Sequence, residues 1–241
     1  MRKFLTICVF ALLAAGCNPF KTDVYSFDEL LVSRPDSLSY LSTSISLEYP
    51  VKGLPKEVID TMTASILTAA FELPAEGASD AAGIEETAAK YLSYVKEAYL
   101  NEAPQEHPYI VEDEVNAYFS GAWDKYRSYI VEYYTYSGGA HGLNTYTPLV
   151  FDCENGLIVP EAEFFAEGYE EPVSGLIRNK LFEDYEDLPL FDLGSIGPNG
   201  AYELGKEGVS WYFQPYEIAP YAYGVLSVTI PWDDVKAYIG V

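Results

Sequence analysis

The chain has 241 residues and a formal net charge of -23, with 37 acidic residues against 14 basic ones. A charge this negative disfavours binding to nucleic acid and to anionic lipid surfaces, and it favours basic proteins or cations as partners. Hydrophobic residues make up 49% of the chain, which excludes general disorder, and the length suffices for one elongated α+β domain or two small ones.

The first 16 residues have the features of a lipoprotein signal peptide. Arg2 and Lys3 precede an apolar run over residues 4–13, and small residues then lead to Cys17. Because the apolar run is too short to span a bilayer, we interpret residues 1–16 as a signal peptide that is removed, and Cys17 as the acylated first residue of the mature protein. The alternative is an ordinary signal peptide in which Cys17 is a chance cysteine.

The predicted anchor determines the location and charge that we expect of the mature protein. Removal of the signal peptide takes two positive charges from a net charge of -23 and leaves -25. We expect a cell-envelope protein that acyl chains on Cys17 hold outside the cytoplasm, at the outer membrane or the cell surface. Since Cys153 is then the one other cysteine of the mature chain, no disulfide framework and no cysteine metal site is predicted.

We interpret residues 17–37 as a tether and residues 38–127 as an N-terminal α+β subdomain. Alternating apolar residues predict a half-buried strand in this subdomain, and apolar residues at helical spacing predict three helices. In chain order, these elements cover Leu41–Tyr49, Pro55–Phe71, Ile84–Tyr99 and Val115–Tyr126.

A tyrosine-rich stretch, Tyr133–Gly142, lies at the middle of the chain. A strand leads into two glycines that can adopt positive φ without steric cost, and a second strand ends at Asn155-Gly156, which is a strong hairpin signal. We therefore predict a β-meander here. The predicted structural turn consists of Gly138, Gly139, His141 and Gly142.

Residues 128–241 are predicted to form the C-terminal domain. Apolar spacing indicates a helix, two strands and a short terminal helix. These elements cover Val173–Leu181, Val209–Gln214, Val225–Ile230 and a segment that begins at Pro231. We expect an α+β fold, with antiparallel sheets and helices packed on one face, in two subdomains joined by the central β-meander.

Several of these segments together resemble one known family. They are Tyr136-Ser-Gly-Gly-Ala-His-Gly142, Phe151-Asp-Cys-Glu-Asn-Gly156, Glu163-Phe-Phe165 and Tyr216-Glu-Ile-Ala-Pro-Tyr-Ala-Tyr-Gly224. The series resembles the extracytoplasmic domain of the RsiV anti-sigma factor, which senses lysozyme, and the N-terminal part of PdaC-type peptidoglycan deacetylases. The resemblance spans residues 39–239 and is strongest in its second half.

The resemblance implies a fold and a binding or sensing role more than it implies a chemistry, because the same domain occurs beside different functions. No cytoplasmic segment and membrane helix precede the domain in this sequence, so we do not expect signalling by sigma-factor release. No deacetylase domain follows it, so we do not expect that activity either.

His141 is a weak candidate for catalysis. The other histidine, His107, lies beside Pro108, and the sequence lacks both the histidine pairs of metalloenzymes and the glycine motifs of nucleotide sites. No metal or cofactor site is therefore predicted. We interpret His141 as structural, with its ring nitrogens hydrogen-bonded near the turn, and a general base in a small cleft is the alternative.

Tyrosines and acidic residues supply the candidates for binding. The 22 tyrosines exceed what one core requires, and exposed tyrosine provides contact area at low conformational cost. The alternatives are tyrosines that cover the two faces of a sheet and acids that form a solvated surface. The binding candidates are Tyr216, Tyr221, Tyr223, Glu183, Asp184, Glu186 and Asp187.

The leading hypothesis is a non-enzymatic cell-envelope lipoprotein that binds or senses a ligand such as lysozyme, a basic protein. The alternative is a small envelope hydrolase that acts on peptidoglycan or another glycan, with His141 and a nearby carboxylate as acid and base. A concave, polar site around His141 would favour the hydrolase, whereas a filled turn would favour the binding protein.

Overall fold

The structure is a computed structural model that describes residues 19–32, 38–73, 80–102, 108–185 and 187–241. These residues form two β-sheets and five α-helices, which confirms the predicted α+β fold. Among them, no helix combines the length and the apolar character that a membrane crossing requires. The predicted signal peptide, Cys17, His107 and Glu186 lie outside the described residues.

Groups of strands and groups of helices follow one another along the described part of the chain. The strands are β1 (Lys21–Val32), β2 (Tyr40–Lys52), β3 (Ile110–Trp123), β4 (Tyr126–Tyr136), β5 (Leu143–Asp152), β6 (Tyr202–Leu204), β7 (Gly208–Phe213) and β8 (Leu226–Pro231). The helices are α1 (Lys56–Phe71), α2 (Ala81–Glu102), α3 (Glu161–Phe164), α4 (Glu170–Asp184) and α5 (Trp232–Val235). Short 3-10 turns lie at Leu193–Ser195, Tyr221–Tyr223 and Lys236–Tyr238.

The first sheet has the strand order β1-β2-β3-β4-β5. β1 and β2 pair antiparallel, whereas β2 and β3 pair parallel, from Tyr40 opposite Ile110 to Leu47 opposite Ala117. A parallel pair requires a long crossover connection, and here that connection contains α1 and α2. The sheet is thus mixed, with one parallel pair that the predicted antiparallel pattern did not include.

The strand predicted over Leu41–Tyr49 is confirmed as part of β2. Its apolar side chains Leu41, Ile45 and Leu47 are buried, while the serines between them are half-buried. The first two predicted helices are confirmed as α1 and α2, whose buried residues recur at helical spacing. Burial of one face of each element is what the apolar periodicity predicts.

Strand β1 corrects the prediction of a tether over residues 17–37. Strand β1, Lys21–Val32, pairs with β2 along its whole length. Of the predicted tether, only residues 17–20 and 33–37 lie outside this strand. β1 is an edge strand, so its side chains are half-buried or exposed. Because such a strand buries little apolar surface, its sequence lacks the strict alternation that would have indicated it.

The third predicted helix, Val115–Tyr126, is wrong. These residues belong to β3, to a turn and to the first residue of β4. Apolar residues four apart suggested a helix, but the buried residues Asp113, Val115 and Ala117 alternate as they do in a strand. The turn that ends β3 places Asp124 at φ 48, a conformation that aspartate tolerates better than most residues.

The chain divides into two compact units. The first contains the described residues up to Tyr118 together with Val131–Leu143, and the second contains Phe119–Ile130 and Asn144–Val241. β3 and β4 each contribute residues to both units. The division therefore differs from a single boundary between residues 127 and 128.

The second unit is built around the antiparallel sheet β6-β7-β8 and the helix α4. The predicted helical stripe is confirmed, because Val173, Ile177 and Leu181 of α4 are all buried in this core. The two predicted strands correspond to β7 and β8, and the predicted terminal helix corresponds to α5. Trp211 on β7 is among the largest fully buried side chains of the described residues.

We predict that Gly208→Ala destabilises the second unit. A Cβ at position 208 would lie 1.9 Å from the Ile230 carbonyl oxygen, so β7 and β8 would have to move apart, at a cost of about 1–3 kcal/mol or more. Gly175→Ala is the matched control, since its Cβ would meet nothing within 4 Å and helix propensity favours alanine by about 1 kcal/mol. Urea unfolding of both variants measures the difference, and equal stability would contradict the close approach.

Candidate functional site

The predicted tyrosines lie on one loop of the second unit. We define the tyrosine loop as residues 214–224, which connect β7 to β8. Ile218 and Ala219 are buried and hold the middle of the loop on the core, while Tyr216 is 59% exposed and Tyr223 is 47% exposed. Two of the three predicted tyrosines are therefore largely in solvent, on a loop that is itself packed.

Two side chains fix the start of the tyrosine loop. The Gln214 amide pairs with both backbone groups of Tyr146 on β5, because its Oε1 accepts from Tyr146 N at 3.1 Å and its Nε2 donates to Tyr146 O at 2.7 Å. Glu217 Oε2 accepts from the Gln214 backbone N–H at 2.7 Å, and Glu217 Oε1 accepts from Asn199 Nδ2 at 2.8 Å. These four bonds use polar side chains to hold the loop in place.

Tyr216 has a strained backbone. Its φ is +70, in the left-handed region that a bulky residue rarely adopts, and such a conformation costs on the order of 1–3 kcal/mol. Its ring lies against the ring of Tyr221, with 5.5 Å between the centroids. The loop therefore holds the exposed Tyr216 against the half-buried Tyr221, in a conformation that the backbone of Tyr216 disfavours.

Phe191 joins the tyrosine loop, although the sequence did not predict it. Its backbone N–H donates to the Ile218 carbonyl at 2.9 Å, which places this segment beside the loop, and its side chain is 56% exposed. The neighbouring Leu188 and Leu190 pack against the core. Leu188 and Leu190 are two residues apart, and Phe191 falls at the opposite position of that alternation. This spacing is the one sequence signal that would have predicted an exposed Phe191.

The acidic segment, residues 183–187, is partly neutralised. Lys180 Nζ lies 2.5 Å from Asp184 Oδ1 and 3.8 Å from Glu183 Oε2. Asp187 is exposed, and Glu186 lies outside the described residues. The segment therefore presents less uncompensated negative charge than its sequence predicts. Its Tyr185 hydroxyl donates to the Ser227 carbonyl of β8 at 3.1 Å, which attaches the segment to the second unit.

The glycines of the central turn adopt the conformation that the sequence predicts. Gly138 and Gly139 have φ of 93 and 97, and a Cβ at either position would meet nothing within 4 Å. Gly142 instead lies against the Tyr134 ring, where a Cβ would come within 2.5 Å. The turn is therefore open at its tip and closely packed at its base.

His141 lies exposed at this turn. Its Nδ1 is 3.3 Å from the Gly142 carbonyl oxygen. The sequence predicts that the ring nitrogens of His141 are hydrogen-bonded near the turn. The structure shows a contact of Nδ1 with the backbone there, on a side chain that is exposed and not buried. An exposed position on an open turn also differs from the small cleft that a general base would need.

The second predicted turn uses its polar residues as backbone acceptors. Asp152 Oδ1 accepts from Glu154 N and Asn155 Oδ1 accepts from Leu157 N, both at 2.8 Å, and Gly156 has φ 78. Lys125 Nζ lies 3.0 Å from Asp152 and 2.7 Å from Glu154. Within the described part of the chain, no group of three or more potential ligands could hold a metal ion.

A buried carboxylate in the first unit was missed by sequence reasoning. Asp113 on β3 accepts hydrogen bonds from the hydroxyl of Tyr91 at 2.7 Å and from that of Tyr133 at 2.6 Å. Burial raises the pKa of the Asp113 carboxyl, and burial with the bond to Asp113 raises the pKa of Tyr133 to about 12. An acid in a strand of alternating residues gives no sequence signal of burial, because exposed acids are far more common.

Glu161 is the corresponding buried acid of the second unit. Its Oε1 accepts from the Trp211 indole N–H at 2.7 Å, and its Oε2 accepts from the Gly200 backbone N–H at 2.5 Å. Burial raises its pKa, and these two hydrogen bonds partly offset that effect. Glu161 therefore connects the core of the second unit to the segment that holds Asn199.

The second unit matches a family model. Residues 162–233 match the family described as "Protein of unknown function (DUF3298)", and the match includes the tyrosine loop. No curated protein matches the chain.

Two crystal structures share the fold. A DUF3298 family member from Bacteroides fragilis NCTC 9343 is 22% identical with a TM-score of 0.74, over 92% of this chain and 94% of that one. A DUF3298 family protein from Pseudomonas aeruginosa PAO1 is 17% identical with a TM-score of 0.66, over 92% of this chain and 95% of that one. At these identities the likeness establishes the fold alone.

We predict that Asp113 makes stability depend on pH. Because the folded protein raises its pKa above the ordinary 3.8, its contribution is fully present below that value and is lost as the pH rises towards the raised pKa. Asp113→Asn should therefore gain stability relative to the unsubstituted protein as the pH rises through this window. Urea unfolding at several pH values measures the gain, and the exposed Glu114→Gln on the same strand is the control. Equal pH dependence in the two variants would contradict this role of burial.

Glu217→Ala should loosen the tyrosine loop. The substitution removes the acceptors of Gln214 N and Asn199 Nδ2, at a cost of about 1 kcal/mol for an exposed group. We expect faster hydrogen exchange at the Gln214 amide, while Glu207→Ala, an exposed acid of the same unit, leaves that exchange unchanged. An unchanged Gln214 amide in Glu217→Ala would show that Glu217 does not hold the loop.

Proposed function

We propose that the chain is a non-enzymatic binding or sensing protein of the cell envelope, held there by acyl chains on Cys17. The observation that carries the proposal is the tyrosine loop. Exposed tyrosines stand there on a backbone that four polar side-chain bonds hold in place, and one of them is strained. Backbone strain persists where the surrounding structure over-determines it, and it concentrates at functional sites.

Rigid exposed aromatics suit binding for an energetic reason. Tyrosine gives a large contact area with few rotatable bonds, so less conformational entropy is lost when a partner is bound. Prior fixation of the loop reduces that loss further. The tyrosine loop and Phe191 would therefore supply most of the contact energy of a complex.

A basic protein such as lysozyme is the partner that we propose. The resemblance to the RsiV sensing domain suggests lysozyme, and the formal charge of -23 favours a partner of positive charge. Acidic groups near the rim of an interface mainly raise the association rate, while buried aromatic contacts determine the dissociation rate. Glu183 and Asp187 would act in the first way and Tyr216 in the second.

The hydrolase alternative has no comparable support. His141 lies exposed on a turn that is open at its tip, where Gly138 and Gly139 have free space around them. Water exclusion and a fixed acid-base pair are what glycoside hydrolysis requires, and this turn provides no enclosed surface for either.

Binding kinetics test the proposed partner. With a C-type lysozyme, Tyr216→Ala and Tyr221→Ala should each raise the dissociation rate, by about tenfold or more if the residue is a hot spot. Joint neutralisation of Glu183, Asp184, Glu186 and Asp187 should mainly slow association. The decrease in the association rate should be smaller than the removal of four unpaired charges would cause, because Lys180 already pairs with Asp184. Tyr94→Ala, an exposed tyrosine on α2, is the control.

Salt separates specific binding from a general charge effect. As salt shortens the Debye length from about 10 Å at 0.1 M to about 3 Å at 1 M, association should slow while the dissociation rate changes little. Binding that disappears entirely at about 0.3 M salt, or no binding at micromolar concentrations, would remove lysozyme as the partner.

Mass spectrometry of the native protein tests the anchor. We expect an N-terminal Cys17 that carries two or three acyl chains, because a single chain binds membranes only marginally. An unmodified N-terminus beyond Cys17, or a Cys17→Ala protein still retained in the membrane fraction, would contradict lipidation.

A further inference from the structure

Strand β1 is an exposed edge of the first sheet. It stands first in the strand order, and no strand of the described residues pairs with its outer side. Proteins commonly protect such edges with prolines, with lysines or by keeping the strand short, because backbone groups on an open edge recruit another strand. β1 has 12 residues and no proline, and its one lysine, Lys21, is at its very start. The edge therefore offers a long backbone surface to a partner strand.

Every second residue of β1 directs its backbone N–H and C=O groups away from β2. Thr22 lies opposite Pro50, which has no N–H and cannot exchange two hydrogen bonds with it. The backbone N–H of Val24 donates to the Asp23 side chain at 2.9 Å. Because the register with β2 is regular from Thr22 to Val32, the even-numbered residues of this segment all share the outward direction.

The even-numbered residues also carry exposed apolar side chains. Val24 is 44% exposed, Leu30 is 63% exposed and Val32 is 43% exposed. These side chains lie on one face of the sheet, because side chains alternate between the two faces of a strand. The residues that would bind the backbone of a partner strand thus also supply apolar surface, whose burial would stabilise the contact.

A second copy of β1 is complementary to this edge. The regular segment from Thr22 to Val32 has Phe27 at its midpoint, so two antiparallel copies related by a twofold axis at Phe27 overlap along the whole segment. In this register Val24 lies opposite Leu30 of the second copy, and Thr22 lies opposite Val32. Apolar and β-branched side chains that face one another on paired strands are stabilising. The exposed apolar side chains of each copy thus find partners in the other.

Neighbouring registers are disfavoured by charge. An axis at Ser26 would place Asp23 opposite Glu29 of the second copy, and an axis at Asp28 would place two Asp28 side chains opposite one another, which is destabilising. An axis between two residues would align outward-directed with inward-directed backbone groups. The axis at Phe27 places no acid directly opposite another acid.

Two acids of β1 are already bound within their own chain. Asp28 Oδ1 accepts from the Ser44 hydroxyl on β2 at 2.7 Å, and Glu29 Oε2 pairs with Lys96 Nζ of α2 at 2.5 Å. The Asp28 carboxylate is therefore directed back towards β2, and the charge of Glu29 is paired. Neither acid opposes the approach of a second copy.

Helix α2 leaves room for the second copy. It contacts β1 through the pair of Lys96 with Glu29 and β3 through the hydrogen bond from Tyr91 to Asp113, so it lies over β2, the strand between them. In a joined sheet the two β2 strands would be three strand spacings apart, about 14 Å, whereas packed helices need about 8–10 Å. The two copies of α2 would therefore not collide.

We propose that the chain forms a homodimer, in which two β1 strands pair antiparallel about Phe27 and join the two five-stranded sheets into one. Such an interface is isologous, because the same surface of each copy binds the other, and main-chain hydrogen bonds supply much of the affinity. The pairing depends neither on acylation of Cys17 nor on the identity of a ligand.

The net charge opposes this dimer at long range. The chain carries a formal charge of -23, so two copies repel one another unless salt screens the charges. Salt shortens the Debye length from about 10 Å at 0.1 M to about 3 Å at 1 M, so we expect the dimer to become tighter over this range. This salt dependence is opposite to the one expected for binding to a basic protein.

Sedimentation equilibrium measures the dimer. The sample is the whole mature chain with Cys17→Ser, which removes the site of acylation, and we expect dimers at about 100 μM. Leu30→Glu should raise the dimer dissociation constant by about a hundredfold, because each dimer loses two leucine contacts. Leu157→Glu, at a leucine of similar exposure outside β1, should leave the constant unchanged. Val24→Lys combined with Leu30→Glu should recover most of the affinity, because opposite charges then face one another.

A single cysteine at the axis tests the register. The two residues at position 27 would form a non-hydrogen-bonded pair with Cα atoms about 4.5 Å apart, within the range of about 4.4–6.8 Å for a disulfide. Phe27→Cys, with Cys153→Ser, should therefore give a disulfide-linked dimer on mild oxidation. Tyr25→Cys is the control, because the two substituted positions would lie four residues apart along the strands, at least about 13 Å.

Three results would overturn the proposal. A monomer at about 100 μM in both low and high salt would exclude the dimer. A dimer that Leu30→Glu does not weaken would exclude β1 as the interface. Absence of the disulfide in a Phe27→Cys protein that sediments as a dimer would exclude the axis at Phe27.

Discussion

Burial of the Trp211 indole is the constraint on which the second unit depends. The indole N–H lies in the core and must find an acceptor there, and Glu161 supplies it at 2.7 Å. The other oxygen of Glu161 binds the Gly200 backbone, and the adjacent Asn199 donates to Glu217 in the tyrosine loop. A buried carboxylate costs free energy unless it is hydrogen-bonded. The two donors to Glu161 are the Trp211 indole in the core and the Gly200 backbone, which is next to the residue that contacts the tyrosine loop. The position of the exposed tyrosines thus depends on the hydrogen bond that the indole N–H of buried Trp211 donates to Glu161.

The charged residues of this chain divide into those that serve the fold and those available to partners. Asp152 and Asn155 accept backbone hydrogen bonds in a turn, and Lys180 pairs with the acids at the end of α4. The net charge therefore overstates the negative charge presented at any one surface. Unlike these paired groups, the exposed Lys21 and Lys52 form no ion pair with any described residue.

Periodicity predicted the elements that bury one regular face. β2 and α4 were found because their apolar residues repeat every second or every third and fourth position. β1 was missed because an edge strand buries little, and β3 was taken for a helix because its apolar residues also fit a spacing of four. The sequence identified the tyrosine loop by composition, but the φ of Tyr216 and the part played by Phe191 depend on contacts between residues far apart in the chain. No local pattern carries that information.

Hydrogen exchange of the mature protein with and without a C-type lysozyme would show whether the tyrosine loop is the binding surface. On binding, we expect slower exchange at the backbone amides of the non-proline residues of the tyrosine loop and at Phe191, with little change at the exposed turn that holds His141. Slower exchange confined to that turn, with the tyrosine loop unaffected in a saturated complex, would show that the loop is not the binding surface.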